Sequence, residues 1–484
     1  MSSSGRQGAG RRCPGCEPPA RSRRDFLRRS SMGFGSLALT ALARHWAAAE
    51  TTTPRTDFAP RAKRVIFLFM DGGVSHVDTF DPKPRLKQLD GEPAVWKPDM
   101  LSQGTSANRK WLASPWEFRQ YGKSGLWVSD LFTRMAPVVD ELCVIRSMVG
   151  EAPLHGAQSL LLHTGRTLGA APSLGSWLSY GLGTENEQLP GYLVLNNDWV
   201  PNGGLENFGC SFLPATHQAT MVRAHGKPVD NIEPIDPTNV QQAKLDFLRE
   251  QDNAVSQARG GLEPIDSAIR NYETAAKMQT LLPTLCDVKG ETAETLALYG
   301  VDRQNPYDQL YALQCLRARR LVEAGVRFVE VTCTNTDGNN SPWDQHGALK
   351  ERHAENARIT DQPVAALIAD LKRRGLLDDT LVIWAGEMGR TPHCSPDSGQ
   401  NGRDHHVSGY TIWMAGGGIR GGMTYGATDE MGMSTVENRL DIHDIHATIL
   451  HQLGIDHKRL TFRFGGRDMR LTDVHGRVVK EILA

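Results

Sequence analysis

Cysteine is sparse in this chain, 8 in 484 residues. Beyond residue 49 only Cys143, Cys210, Cys286, Cys315, Cys333 and Cys394 remain, scattered with no Cys-x-x-Cys spacing. That scatter excludes a disulfide scaffold and argues against an iron–sulfur cluster. No Gly-x-Gly-x-x-Gly follows a strand and no haem motif is present, which leaves an exported oxidoreductase a poor reading. Past the N-terminus no segment offers about 18 consecutive apolar residues, so the mature protein should have no stable membrane span. There is no internal repeat of the 20–50-residue kind. Net charge is also missing, with 54 Lys+Arg against 55 Asp+Glu, but the balance hides an asymmetry. Residues 1–49 hold nine Arg against Glu17 and Asp25, leaving the remainder at net −8. An acidic body excludes nucleic acid as a partner. With 39% hydrophobic residues, 48 Gly and 26 Pro, what is left is a globular protein of two to three domain-equivalents in length.

The basic N-terminus reads as an address. Ser22-Arg23-Arg24-Asp25-Phe26-Leu27-Arg28 is a twin-arginine signal, followed by a small-residue apolar stretch from Met32 to Ala43 and a cleavage-like Ala47-Ala48-Ala49. Residues 1–49 are therefore read as a signal peptide for the twin-arginine translocase, and the product as periplasmic or secreted. That route exports folded proteins, which suits a chain that acquires a metal before crossing.

Residues 64–70 form an unbroken apolar run stopped by Asp71-Gly72-Gly73, the form of a buried parallel strand with an abrupt turn. Further strands are expected at 142–146, 192–195, 326–332, 380–385 and 410–415. Helical patterns lie between them at 130–141, 156–162, 174–182, 308–324, 359–374 and 442–453. Such alternation predicts an α/β fold with a mostly parallel sheet and helices on both faces. Between 196 and 300 a Gly-, Pro- and Asn-rich loop and two polar helices, at 240–258 and 264–280, read as an insertion over the sheet's rim. The expected organisation is thus one α/β domain over 50–484.

In open α/β sheets the site lies outside the carboxyl ends of the strands. There the sequence places Asp71, Ser75 and His76, then Asp337, Asp344 and His346, then Glu387 and Arg390, then His405 and His406. Oxygen and imidazole donors without thiolate suit Zn²⁺, Mn²⁺, Ca²⁺ or Mg²⁺. Each residue also has a structural alternative: Asp71 and Asp344 as turn or helix-cap carboxylates, Glu387 as a satisfied loop acid, Ser75 as a turn hydroxyl. Adjacent strand residues point apart, so one of His405 and His406 is expected to be a ligand. Arg166 and Arg390 either clamp an anion or pair with buried acids. His443, His446 and His451 share a helix face with structural roles expected. His155, one residue before a helix start, sits where the helix's positive end disfavours the imidazolium form, so a neutral base or metal ligand is expected.

His155-Gly-Ala-Gln-Ser-Leu-Leu-Leu-His-Thr164-Gly165-Arg166 resembles the sulfatase signature of the alkaline-phosphatase superfamily. More closely, several motifs together resemble domain-of-unknown-function family 1501, a twin-arginine-exported, sulfatase-like family. They are Gly72-Gly73-x-Ser75 with Asp81-Pro-Lys83-Pro, Trp343-Asp-x-His346-Gly347, Gly386-Glu-x-Gly-Arg390-Thr-Pro392, Gly402-Arg-Asp-His-His406, Trp413-Met-Ala-Gly-Gly-Gly418 and Asp444-Ile-His-Ala-Thr448. The likeness runs over about 64–484. It implies an alkaline-phosphatase-like fold, with Asp71, Asp344, His346, Glu387 and His405 or His406 at the metal-ligand stations. It also implies a sulfate or phosphate ester substrate, including one carried on a carbohydrate, with Arg166 and Arg390 binding the ester. Two departures matter. The station of the Cys or Ser nucleophile holds His155, leaving Ser75 as the nearby hydroxyl, and the superfamily's Asp-His pair is Glu387-Met388. One metal ion is therefore expected rather than two. The implied reaction is metal-assisted hydrolysis with His155 in proton transfer. The alternative is a catalytically idle sulfatase-like protein that binds carbohydrate or an exported partner.

Overall fold

The computed structural model describes residues 56–96, 108–197, 199–259, 263–336, 338, 341–394 and 401–484. The signal sequence and Asp337 lie outside the described residues. Alternation within Arg64–Phe69 (β1) sends Val65, Phe67 and Phe69 to one side and Ile66 and Leu68 to the other, and both sides are buried. The other sheet strands are Leu142–Met148 (β2), Tyr192–Asn196 (β3), Thr220–Arg223 (β4), Phe328–Thr332 (β5), Thr380–Ala385 (β6), Tyr410–Ala415 (β7) and Met423–Tyr425 (β8). Their order across the eight-stranded sheet is β8-β2-β7-β6-β1-β5-β3-β4.

Only β7 runs against its neighbours; all other pairings are parallel. A parallel return needs a crossover of a dozen or more residues, usually helical. Between β6 and β7 the described chain makes only a hairpin, Gly389–Cys394 paired with Arg403–His406, so β7 starts at the rim where β6 ends. That hairpin carries Arg390 and His405 over the sheet's carboxyl edge.

Helices cover both faces. His155–Thr164 (α1), Leu174–Leu182 (α2) and Ile442–Gln452 (α3) pack with Phe67, Phe69 and Val194, through Leu161, Trp177, Ile445 and Ile449. Pro306–Glu323 and Leu349–Arg373 pack with Ile66, Leu68 and Val331 on the opposite face, through Tyr311, Cys315, Leu367 and Ile368.

Three expectations change. The helix read at 130–141 is a run of 3₁₀ turns broken at Phe132, with Pro137 withholding one backbone donor. The helix read at 359–374 starts ten residues earlier, at Leu349, with Pro363 inside it. The segment 196–300 contains the edge strand β4, hidden by its loop-like composition, besides helices Thr238–Arg259 and Glu263–Cys286. Among the described residues no helix is long and apolar enough to cross a membrane.

Candidate metal centre

Asp71 stands fully buried two residues past the end of β1. Its turn depends on Gly72, whose φ is 115° and where a Cβ would lie 2.6 Å from the backbone nitrogens of Trp343 and Asp344. The close approach brings in the next station: Trp343 N–H donates to the Asp71 carbonyl at 3.0 Å. Asp71 Oδ2 accepts the backbone N–H of Asn202 at 3.1 Å, while Oδ1 is buried with no hydrogen-bond partner. Glu387, after β6, receives the Gly72 N–H on both oxygens, at 3.1 and 3.0 Å. Its Oε1 also lies 2.6 Å from His155 Nδ1.

His155 opens α1 and stands between acids, its Nε2 3.4 Å from Asp344 Oδ2. The far side of Asp344 meets Arg390 Nη2 at 2.5 Å, His346 Nε2 at 3.2 Å and His405 Nε2 at 3.5 Å. His346 and His405 face each other, Nε2 to Nε2, at 3.1 Å. Two donor sets result: Asp71, His155 and Glu387; and His155, Asp344 and His405. Within each set the donor atoms lie within 4.8 Å of one another.

The electrostatics are those of too many acids in too little water. Burial, reinforced by the charge of Glu387, raises Asp71 well above the usual carboxylate range. Burial would raise Asp344 too, but the Arg390 charge and hydrogen bonds from His155, His346 and His405 hold it far below. His155 is drawn down by burial and lifted more strongly by Asp344 and Glu387, to about 9. Without metal, two carboxylates in contact outweigh the partial charge of a helix end, and His155 has to lose that proton to serve as the expected metal ligand. Hydrogen bonds to Asp344 and Asp404 raise His346 to about 9, whereas burial lowers His405.

Asp71, Asp344, Glu387, His405 and His155 are thus brought together, with His346 at the outer side. Other expected site residues lie elsewhere. His406 turns the other way along its strand, its Nε2 donating to the Met433 carbonyl at 2.7 Å and its ring stacked on His76. Ser75 is fully buried, its hydroxyl donates to Asp78 at 2.5 Å, and it belongs to neither donor set. Arg166 pairs with Asp473 at 3.4 Å instead of facing the cluster. Arg390 touches the cluster but is buried, bonded to Asp344 and to the carbonyls of Gly72, Gly73 and Arg403. Of the α3 histidines, His443 Nε2 donates to the Gly165 carbonyl at 2.9 Å and His446 Nε2 to the Leu162 carbonyl at 2.8 Å.

Sequence reasoning missed four contributors. Asn202 caps Asp71, the Pro153 carbonyl holds His405 Nδ1 at 2.8 Å, and Gln158 Nε2 donates to the Glu387 carbonyl at 3.1 Å. Asp404, paired with Arg109, accepts from His346 Nδ1 at 2.9 Å and fixes that ring. Only Asp404 carried a signal, as an acid beside two histidines.

Fold and cluster define an α/β protein with carboxylates and imidazoles gathered at the carboxyl edge of a mostly parallel sheet. Within that class, the family described as "Protein of unknown function (DUF1501)" matches residues 62–483, and the chain belongs to it. No curated protein matches the chain. Among solved structures, the chain is similar to the PsFucS1 sulfatase from Pseudoalteromonas sp., at 14% identity over 87% of this chain and 71% of that one, TM-score 0.35. It is similar also to the lipoteichoic acid synthase LtaP from Listeria monocytogenes, at 9% identity over 87% and 78%, TM-score 0.36. The alkaline phosphatase from the Antarctic bacterium TAB5 matches at 9% identity over 81% and 98%, TM-score 0.33.

Proposed function

We propose that this protein is an exported, metal-dependent hydrolase of sulfate or phosphate esters. One observation carries the metal: Asp71, Glu387 and Asp344 crowd round His155, and buried Asp71 Oδ1 has no hydrogen-bond partner. A buried polar atom without a partner costs about 1–3 kcal/mol, more when charged, so Asp71 Oδ1 among these oxygen and nitrogen donors fits a divalent cation. Asp71, Glu387 and His155, or Asp344, His155 and His405, would hold it. Because both sets use His155, the arrangement supports one ion rather than two. Such an ion supplies charge that stabilises negative charge growing on an ester oxygen.

The chain's own residues account for the protons. With Ser75 engaged by Asp78, water attacks the ester, and the carboxylate in contact with His155 that is not itself a ligand, Asp344 or Glu387, takes the proton, since a ligating imidazole with its other nitrogen on a carboxylate has none free to carry it. Arg390 holds Asp344 in its ionised form. The ester chemistry rests on the sulfatase-like segment 155–166 together with this cluster. The catalytically idle reading, a protein that binds carbohydrate or an exported partner, is favoured by one fact: Arg166 and Arg390, the expected ester clamps, are both engaged with acids.

Metal analysis of protein recovered after export, followed by assay on sulfate and phosphate monoesters, separates the readings. Bound metal with turnover that His155→Ala abolishes supports the hydrolase; bound metal without turnover supports the binding protein. Export has its own test: Arg23→Lys with Arg24→Lys should trap precursor in the cell, and unimpaired export would refute the signal.

A further inference from the structure

The far end of α1 is anchored by a buried pair that the proposed chemistry does not use. His163, eight residues after His155 on the same helix, lies among Phe67, Phe69 and Phe208. Its Nδ1 is 2.7 Å from the Ser159 carbonyl oxygen and its Nε2 is 2.9 Å from Glu330 Oε1. Both neighbours are oxygens, so each ring nitrogen has a polar group within hydrogen-bond reach. Glu330 is fully buried on β5 between β1 and β3, in register with Phe67 on one side and Val194 on the other. Its second oxygen accepts the Tyr192 hydroxyl at 3.2 Å. His443 and His446 of α3 bind the carbonyls of Gly165 and Leu162 at the same end of α1.

Stability alone does not call for this pair. A buried hydrogen-bonded pair replaced on both sides by apolar residues of similar shape can be nearly neutral or stabilising, because the desolvation of both polar groups is no longer required. Directional bonds do supply a fixed rotation and depth for the helix. At 1.5 Å per residue, His155 stands roughly 12 Å along α1 from His163, so a rotation or slide at one end reappears at the other.

We propose that His163 and Glu330 are positioning residues, locking α1 so that His155 stands between Glu387 and Asp344. Only the functional consequence rests on the metal-site reading; the mechanical one does not. The test is the double variant His163→Leu with Glu330→Leu, examined in the full chain by melting temperature, by hydrogen exchange without metal, and by titration with zinc alone. The expected result is a melting temperature within a few degrees of the parent. Exchange at residues 155–160 should be at least tenfold faster, and zinc binding at least tenfold weaker. Unchanged exchange at 155–160 overturns the proposal, and so does faster exchange spread evenly over the sheet, which would mark a merely stabilising pair. If the double variant does not fold, Glu330→Gln, which keeps the volume, is held to the same exchange criterion. A parent protein that takes up no zinc or other divalent metal defeats the proposed function, while the exchange measurement still decides the role of His163 and Glu330.

Discussion

Two buried polar clusters grow from one loop and end in opposite states. Asp78 accepts hydrogen bonds from Ser75 Oγ at 2.5 Å and from Arg403 Nε and Nη2 at 2.7 and 3.0 Å, while Arg403 Nη1 donates to the carbonyls of Leu112 and Thr391. Burial would raise the Asp78 carboxyl, but Arg403 brings it below the ordinary range. Seven residues earlier, Asp71 faces Glu387 with one oxygen unpartnered, and its carboxyl is raised well above that range. In the first cluster acid and guanidinium match; in the second, Arg390 lies against Asp344, and Asp71 and Glu387 face each other with no guanidinium between them. Fold stability accounts for the first. The second works against it, and such arrangements concentrate where chemistry needs perturbed acids.

The sharpest way to break this contrast is to remove one residue from each side. Arg403→Met leaves Asp78 buried and unpaired and should cost about 3–5 kcal/mol in urea denaturation. Asp71→Asn should act in the opposite direction on the metal-free protein, stabilising it by about 1 kcal/mol, since it removes a charge that burial already disfavours. The same change should weaken zinc binding by about 100-fold, the upper end of what losing even an outer partner of a ligand does. Equal destabilisation by the two variants would erase the distinction between structural and functional cluster.

Adding metal sharpens the comparison without mutation. Zinc or manganese at 100 times its dissociation constant should stabilise the parent by about 2.7 kcal/mol, reversibly with chelator, and should leave Asp71→Asn nearly unmoved. The pH dependence has a definite sign. His155 is raised to about 9, so below that pH it carries a proton, and a ring nitrogen must lose it to become a ligand. Manganese affinity should therefore rise between pH 7 and 8.5, tenfold per pH unit for each proton expelled. A flat profile over that interval would remove His155 from the ligand set.

The residues that lay plainly in sequence were those whose position follows from strand ends. An apolar run stopped by Asp71-Gly72-Gly73 marks a strand terminus, and the rule that sites lie beyond such ends led to Asp344, Glu387 and His405 as well. Orientation was not legible. A buried run such as 410–415 reads the same in either direction, so the reversal of β7 was hidden. Ser75 and Arg166 have the right chemistry in the right neighbourhood, yet their partners Asp78 and Asp473 are known only once the chain is folded. The His405-His406 pair lies between these cases, because alternation along a strand foretold that one would turn away but not which. The raised state of His155 was missed because a helix end is visible in sequence and two converging carboxylates are not.

The smallest expected effect concerns the one residue that both clusters claim. By position, on the loop that begins at Asp71, Ser75 is the hydroxyl nearest to hand for attack; by contact it belongs with Asp78 and Arg403. Ser75→Ala removes a hydrogen bond to a carboxylate that already receives two from Arg403, so the remaining charge stays compensated. The loss should be near the low end for bonds to charged groups, about 1.5 kcal/mol, measured by urea denaturation. Zinc affinity should be unchanged, and so should any ester hydrolysis per folded molecule, because the hydroxyl touches neither donor set. A nucleophile behaves in the opposite way: its removal leaves stability near that of the parent and lowers turnover by orders of magnitude. Stability and turnover measured on one Ser75→Ala preparation therefore assign the residue to one cluster. A collapse of turnover at undiminished stability would return Ser75 to the chemistry and end its place in the structural pair.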